Sequence, residues 1–390
     1  MILKIRHIQQ DNLRIILLFL YSYFTLFGIF NVMNTGNYTL LMISHISFFV
    51  FLCFTITRSY GFLKRLFTSN LFLPLLLFFT LYCLASLQYL IDYPLLNIFK
   101  GFFLIILNFI FGLYVTYFAL KNFYSFNYLY ILFAFSYIFI LIYFFFTFKD
   151  LRIQNDILRL KFENDDNLYQ TFSSYLLRFY LFGYLLFIIS ELRNVCQPIF
   201  TTFLFYMGLA SSIVSMVVGS NKEPVLFVIL SLLLFNKLSL KSKLFFITII
   251  SLTFFDLYSK TNGNEILLPR LFQDGLSSLE SRSEILNNFS DQFMINPIVG
   301  SPMGYEELNQ IYIHSFFPSI LTSTGLMGFS FIILFFLMFL VNLQKLRSKL
   351  PYLIFLLFLF SANVTSYFDW FPFWYLIGLF IPLKYVHNES

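Results

Sequence analysis

Charged side chains are scarce in this chain of 390 residues. Only 11% of them are Asp, Glu, Lys or Arg, whereas 59% are apolar. A typical soluble domain carries about 25% charged residues, so there is too little charge here to cover a core of this size in water. The scarcity of charge therefore excludes a water-soluble globular fold.

Cysteine is also rare, with three copies. Cys53, Cys83 and Cys196 lie in or beside apolar runs and show no paired spacing, which is typical of small buried hydrophobic residues. The N terminus leads directly into a full-length apolar run, so we expect no cleavable signal peptide.

Long apolar runs are abundant by contrast. A membrane-spanning helix needs about 20 consecutive apolar residues, and the chain offers about 12 such runs. They predict an all-α polytopic membrane protein with a single transmembrane domain over 1–390. The predicted spans cover 15–33, 39–57, 71–90, 99–120, 126–147, 171–190, 198–219, 224–236, 244–259, 315–343, 350–366 and 370–386.

The basic residues divide unevenly between the two predicted membrane sides. The side with both termini holds 15 basic residues and three acids, and the other side holds nine basic residues and 16 acids. Basic loops tend to stay in the cytoplasm, so both termini are predicted to be cytoplasmic. Two long loops, 148–170 and 260–314, then face the opposite side, the second of them between spans nine and ten.

The 260–314 loop contains a predicted amphipathic helix, "SLESRSEILNNFSDQFMINP". Ser281 and Glu284 have the spacing of a capping box, and Pro297 is expected to end the helix. Arg282 falls in the first turn, where a helix N terminus and a guanidinium together favour an anion. The alternative is a solvated arginine paired with a nearby acid.

A tight connection, "NPIVGSPMG", follows this helix. Gly300 and Gly304 permit backbone turns that other residues resist. The chain then runs to His314, which we expect at the outer membrane boundary. A neutral imidazole can accept a proton there, although a simple polar contact at a helix start is the alternative.

Two further cations lie near the same predicted membrane surface. Lys222 sits in a short connection between spans, where it acts on an anion or simply pairs with Glu223. Arg178 lies about 10 Å inside its span by helical rise. A charge at that depth is a functional candidate, and the alternative is that it snorkels to the headgroups.

An acidic cluster in the 148–170 loop gives a rival hypothesis. Glu163, Asp165 and Asp166 supply the oxygen ligands that divalent cations prefer. A solvated, acid-rich end of a loop is the alternative, and it leaves the protein without a metal site.

The order "SRSEILNNFSDQFMINPIVGSPMG…IHSFFPSILTSTGLMGF" resembles the signature of the O-antigen polymerase (Wzy-type) and O-antigen ligase superfamily. Members show an arginine opening a loop helix, a P-[LI]-x-G turn, a His-Asn or similar pair at a span start, and G-[LI]-x-G within that span. The sequence departs from the pattern at Ser315, where Asn is common, and at Lys222, where Arg is common. The matching positions are Arg282, Pro297 to Gly300, His314 with Ser315, Gly325 to Gly328, and Lys222.

The resemblance implies a metal-independent glycosyltransferase of the bacterial inner membrane with no cofactor. Its donor would be an undecaprenyl-diphosphate-linked oligosaccharide, and the long loops would be periplasmic. Arg282 would stabilise the departing diphosphate, with Lys222 and Arg178 assisting, and His314 would be the base for the acceptor hydroxyl. The expected substrate-binding residues are Lys222, Arg178, Arg270, Tyr305 and Tyr312.

Four functions remain open at this point. The resemblance favours an O-antigen polymerase, which joins lipid-linked repeat units, and next the ligase, which moves finished glycan onto lipid A–core. A polysaccharide flippase or transporter would place ionisable residues deep in several spans, and only Arg178 does so here. A non-catalytic scaffold is the fourth. The expected partners are membrane lipid, a chain-length regulator and a flippase, and no nucleic acid.

Overall fold

The computed structural model describes residues 2–35, 37–57, 59–88, 95–128, 130–131, 181–193, 244, 248, 289–301, 315–365 and 371–388. Every regular element within these ranges is helical. The helices are α1 (Ile2–Thr35), α2 (Thr39–Ile56), α3 (Tyr60–Phe67), α4 (Phe72–Leu87), α5 (Leu95–Lys121), α6 (Phe316–Gln344), α7 (Leu350–Thr365), α8 (Phe371–Phe380) and a 3-10 helix (Ile381–Asn388). Further helical segments lie at 123–128, 181–193 and 289–295.

Three helices of the described ranges are long and apolar enough to cross a membrane. They are α2, residues 102–121 of α5, and α6, and the bent pair of α3 and α4 makes a fourth if it is one span. These helices indicate a membrane protein. The total of about 12 spans and the side on which the long loops lie stay predictions, because most residues of four predicted spans lie outside the described ranges. Those spans are 126–147, 198–219, 224–236 and 244–259.

The chain divides into two compact units. Unit 1 comprises residues 1–60 and 114–271, and unit 2 comprises residues 61–113 and 272–390. A single transmembrane domain was predicted from the sequence. Each unit has its own aromatic packing.

Unit 1 is built on the pair of α1 and α2. Tyr21 of α1 stacks on Phe48 of α2 with 4.4 Å between the ring centroids. Further along α2, Phe51 meets the ring of Tyr114 edge to face at 5.3 Å. Aromatic pairs of this kind add about 0.5–1.5 kcal/mol each beyond the area they bury, so rings hold these helices together.

Asp11 forms two ion pairs within unit 1. Its carboxylate accepts a hydrogen bond from Arg14 Nη1 at 3.0 Å and contacts Lys121 Nζ at 2.6 Å. Arg14 is buried and Lys121 is half-exposed. The ion pair to Lys121 joins the start of α1 to the end of α5.

Unit 2 is built around α4, α6, α7 and α8. Phe373 of α8 contacts Phe316 of α6 at 4.6 Å and Phe355 of α7 at 5.7 Å between ring centroids. Trp374 of α8 stacks on Phe78 of α4 at 5.9 Å. One aromatic cluster therefore joins all four helices.

The last predicted span, 370–386, changes its helix type partway. It is α-helical over Phe371–Phe380 and continues as a 3-10 helix over Ile381–Asn388. The change falls beside Pro382, which has no N–H to donate to Gly378, and whose ring crowds that carbonyl in an α-helix. The tighter 3-10 geometry avoids this clash.

Candidate functional site

The helix over 289–295 ends where the sequence predicts. Phe289 and Phe293 stack at 5.9 Å between ring centroids, as residues one helical turn apart do. The chain leaves the helix at Asn296 and Pro297, and the N–H of Gly300 donates to the carbonyl of Asn296 at 2.8 Å. The loop helix and its proline stop are therefore confirmed over the part of the loop that the structure describes.

Helix α6 is not the single straight span that the sequence predicts. Gly325 has φ 61° and ψ −172°, which breaks the helix into a first arm, residues 316–324, and a second arm, residues 326–344. The rings of Phe316 and Phe336 lie 6.1 Å apart. In a straight helix these two residues would be separated by about 30 Å. The first arm therefore folds back along the second, so the length of α6 that can cross a membrane is that of the second arm, residues 326–344.

This reversal changes where the first arm begins. Phe316 is fully buried against Phe336, Phe373 and Trp374, level with the middle of the second arm. The sequence predicts that the chain enters this span at a membrane boundary beside His314; that residue lies outside the described ranges, so its level in the membrane stays a prediction. The prediction missed the break because a glycine within an apolar run does not by itself indicate a change of direction.

The turn after the loop helix is bonded to the break in α6. Ser301 N–H donates to the carbonyl of Thr322 at 2.8 Å. Leu326 N–H donates to the carbonyl of Pro297 at 2.9 Å, and Met327 N–H to that of Ile298 at 3.2 Å. We call this contact, formed by residues 297–301 and 322–327, the glycine junction.

Two glycines allow the glycine junction to close. A Cβ on Gly300, which has φ 86°, would lie 2.4 Å from the backbone nitrogens of Thr324 and Gly325. A Cβ on Gly325 would lie 2.3 Å from the carbonyl oxygen of Ile298. The positive φ angles favour glycine as well. Sterics and backbone conformation therefore both require glycine at the two positions.

Two N–H groups at the N terminus of the second arm are not open to an anion. The first N–H groups of a helix attract anions only while they are unbonded. Here the N–H groups of Leu326 and Met327 already donate to the carbonyls of Pro297 and Ile298. These two N–H groups are therefore not free to bind a negative ligand near the glycine junction.

Two glutamines bring polar side chains to this region. Gln88, at the end of α4, donates from Nε2 to the carbonyl of Gly300 at 3.5 Å. Gln292, on the loop helix, is only 3% exposed, and its Oε1 has no hydrogen-bond partner. A buried amide oxygen without a partner is unfavourable, so Gln292 Oε1 is an unpaired acceptor within the described part of the chain.

The hydroxyls of the first arm are used within the arm itself. Ser319 Oγ donates to the carbonyl of Phe316 at 2.9 Å, and Thr324 Oγ1 donates to that of Ile320 at 2.8 Å. Hydroxyl bonds of this type are common where a helix is buried in an apolar setting. The hydroxyls of Ser319 and Thr324 therefore donate to carbonyls of the first arm rather than to a ligand.

The residues that the sequence singles out for chemistry lie outside the described residues. Their roles stay predictions. The same is true of the acidic cluster at 163–166. These residues are Arg178, Lys222, Arg270, Arg282, Tyr305, Tyr312 and His314.

The structure brings together two parts of the quoted signature that are 25 residues apart in the chain, Gly300 and Gly325. It also adds Gln88 and Gln292, which sequence reasoning missed. Gln88 carries a weak signal, because it is a polar residue directly after an apolar helix. Nothing in the sequence marks Gln292.

Comparison with known proteins does not extend this assignment. No protein-family model, no curated protein and no solved structure matches the chain.

Proposed function

We propose that the protein is a glycosyltransferase of the O-antigen polymerase type. It would transfer a lipid-diphosphate-linked glycan onto another lipid-linked repeat unit at the periplasmic face of the bacterial inner membrane. The proposal rests on the resemblance of the 281–328 region to that superfamily and on the membrane-spanning character of the helices.

The glycine junction is the observation that carries the proposal. The loop helix ends just before Pro297, the first residue of the glycine junction. Residues 302–314 follow Ser301 of the junction directly and precede Ser315, which comes just before α6. The junction is closed by backbone hydrogen bonds, so one end of that segment is anchored firmly. A rigid anchor of this kind is what a polar site in a membrane protein needs to hold reacting groups in register.

In the proposed mechanism, cationic side chains stabilise the negative charge of the leaving group. A departing lipid diphosphate develops negative charge, which fixed cations stabilise. Two of the N–H groups that open the second arm are already bonded, and Arg282 would supply the positive charge, with Lys222 and Arg178 assisting. His314 would remove the proton of the acceptor hydroxyl as its oxygen attacks the anomeric carbon and the bond to the diphosphate breaks.

The first experiment removes the two proposed catalytic side chains. Arg282→Ala or His314→Ala is expected to abolish chain growth in the native host, while the amount of protein in the membrane stays near normal. Arg347→Ala and His45→Ala are the matched controls, because both change the same residue types at positions outside the quoted signature. Continued chain growth in a catalytic variant would remove that residue from the mechanism.

The glycan of a deletion strain separates the polymerase from the ligase. A polymerase deletion leaves a single repeat unit on the lipid A–core, because ligation still proceeds. A ligase deletion leaves a core with no repeat unit. An unchanged glycan profile would contradict both assignments.

A further inference from the structure

Helix α3 lies across the direction of the span that follows it. Its axis is bent by 85° from that of α4. The bend is an ordered turn, because Thr68 N–H donates to the carbonyl of Lys64 and Phe72 N–H to that of Ser69, both at 2.9 Å. The bend fits a position of α3 along the membrane surface, which an amphipathic helix can adopt.

The side chains of α3 fit a surface position. Lys64 and Arg65 are exposed in its last turn, while Leu66 is fully buried. Tyr60 and Phe67, at the two ends, are 65% and 52% exposed. Exposed aromatic rings beside exposed cations are typical of the level at which lipid headgroups meet the hydrocarbon.

The C-terminal 3-10 helix adds a third cation beside α3. Tyr385 Oη donates to the carbonyl of Arg65 at 3.1 Å, and its ring meets that of Phe62 edge to face at 6.5 Å. Lys384 Nζ lies 4.8 Å from the centroid of the Tyr385 ring. Tyr385 therefore holds Lys384 next to the α3 cations.

This cluster has positive charge without a described counter-charge. Both ion pairs that the described residues show belong to Asp11, in unit 1. No described carboxylate lies within ion-pair distance of Lys64, Arg65 or Lys384. The cluster lies at the opposite end of α4 from Gln88 and the glycine junction, so it is separate from the proposed catalytic region.

We propose that Lys64, Arg65 and Lys384 bind the phosphate of an anionic phospholipid. The three cations supply the charge, and the aromatic side chains of Tyr60 and Phe67 contact the acyl region beside it. The predicted orientation puts this end of unit 2 in the cytoplasmic leaflet, where anionic lipid is the available ligand. A soluble anion has no acyl chain to contact the exposed aromatic rings.

The test uses the purified full-length protein in a nonionic detergent. Phosphatidylglycerol is titrated in, the melting temperature is followed, and bound lipid is counted by native mass spectrometry. Arg65→Gln and Lys384→Gln are each expected to weaken lipid binding about fivefold. Lys345→Gln, which removes an exposed cation at the end of α6, is the charge-matched control and should change binding less than about twofold.

Three further arms complete the test. Phosphatidylcholine and inorganic phosphate should each leave the melting temperature unchanged, and Arg65→Lys should keep binding within about twofold because it keeps the charge. An equal loss in Lys345→Gln would overturn the site in favour of a general positive surface. A shift produced by phosphate alone would overturn the lipid as ligand. Full binding by Arg65→Gln and Lys384→Gln would overturn the proposal altogether.

Discussion

At the scale of single residues, Gly300 and Gly325 combine two requirements within the described part of the chain. Each has a positive φ, and each would press a Cβ against the backbone of the other segment. A side chain cannot move away from backbone as it can from the flexible end of another side chain. The two positions therefore accept glycine alone.

We predict that Gly300→Ala and Gly325→Ala each destabilise the protein and stop chain growth. The backbone conformation alone costs about 1–3 kcal/mol for a residue with a side chain, and the short contacts add to it. Detergent-solubilised protein should melt several degrees lower, and the glycan ladder should shorten to one repeat.

Gly61→Ala is the matched control for these two substitutions. A Cβ on Gly61, in α3, would meet no atom within 4 Å. Alanine also favours a helix over glycine by about 1 kcal/mol, so the variant should be as stable as the natural protein or slightly more so. A stable, active Gly325→Ala protein would contradict the reversal of α6.

Asp11 is the second residue with a clear stability prediction. Asp11→Asn removes the carboxylate that Arg14 and Lys121 share, and leaves a buried guanidinium without it. Breaking a buried pair costs about 3–5 kcal/mol, and the partial exposure of Lys121 lowers the expected loss to about 2 kcal/mol. Thermal unfolding in detergent measures this loss of stability.

Lys121→Gln is the comparison for Asp11→Asn. It keeps the pair of Asp11 with Arg14, and its ammonium is half-exposed, so the expected loss is below about 1 kcal/mol. Equal losses in the two variants would show that the Lys121 ion pair, rather than the buried Arg14 pair, carries the stabilisation.

At the scale of elements, most of what the sequence predicts is the position of helices. Runs of apolar residues predict spans at 39–57 and 350–366, and the helices found are Thr39–Ile56 and Leu350–Thr365. Such bounds follow from composition, because apolar residues avoid water and loops collect polar ones. Helix direction does not follow from composition, so the reversal within α6 and the 85° bend before α4 were missed.

The reversal of α6 gives a distance prediction. In a background without the natural cysteines, Phe317→Cys with Phe336→Cys should join through a short thiol cross-linker, because the two rings lie 6.4 Å apart. A straight helix would separate the positions by about 28 Å, which a short linker does not reach. Mass spectrometry of the linked peptide reports the outcome.

A second cysteine pair controls for random linkage. Phe317→Cys with Asn342→Cys lies on the same two arms, with the second position near the far end of α6. This pair should stay unlinked. Linkage of the control pair alone, or of neither pair in folded protein, would contradict the reversal.

At the scale of the whole molecule, composition decides the class. A chain with 59% apolar and 11% charged residues can fold only where most of its surface meets lipid or protein. The described ranges agree with this class, since every regular element in them is helical and several are long enough to cross a membrane. The total number of spans, the orientation and the activity stay predictions.

Metal dependence is a prediction at this scale. Polymerisation by the purified protein with a synthetic lipid-linked repeat should continue in excess chelator, because the proposed mechanism uses cationic side chains and the His314 imidazole in place of a metal ion. A loss that added divalent ion restores would instead favour the carboxylates at 163–166. Glu163→Gln, Asp165→Asn and Asp166→Asn would then be expected to abolish the restored activity.

The sequence by itself determined that this is a membrane protein, that the elements the structure describes are helical, where several of these helices lie, and where the loop helix stops. These follow from local chemistry: apolar runs, and a proline that cannot continue a helix. Only the tertiary structure decided that Gly300 packs against Gly325, that α6 reverses direction at Gly325, and that Lys384 lies beside α3. These contacts join residues distant in the chain, and their free energy depends on shapes that neither partner's local sequence specifies.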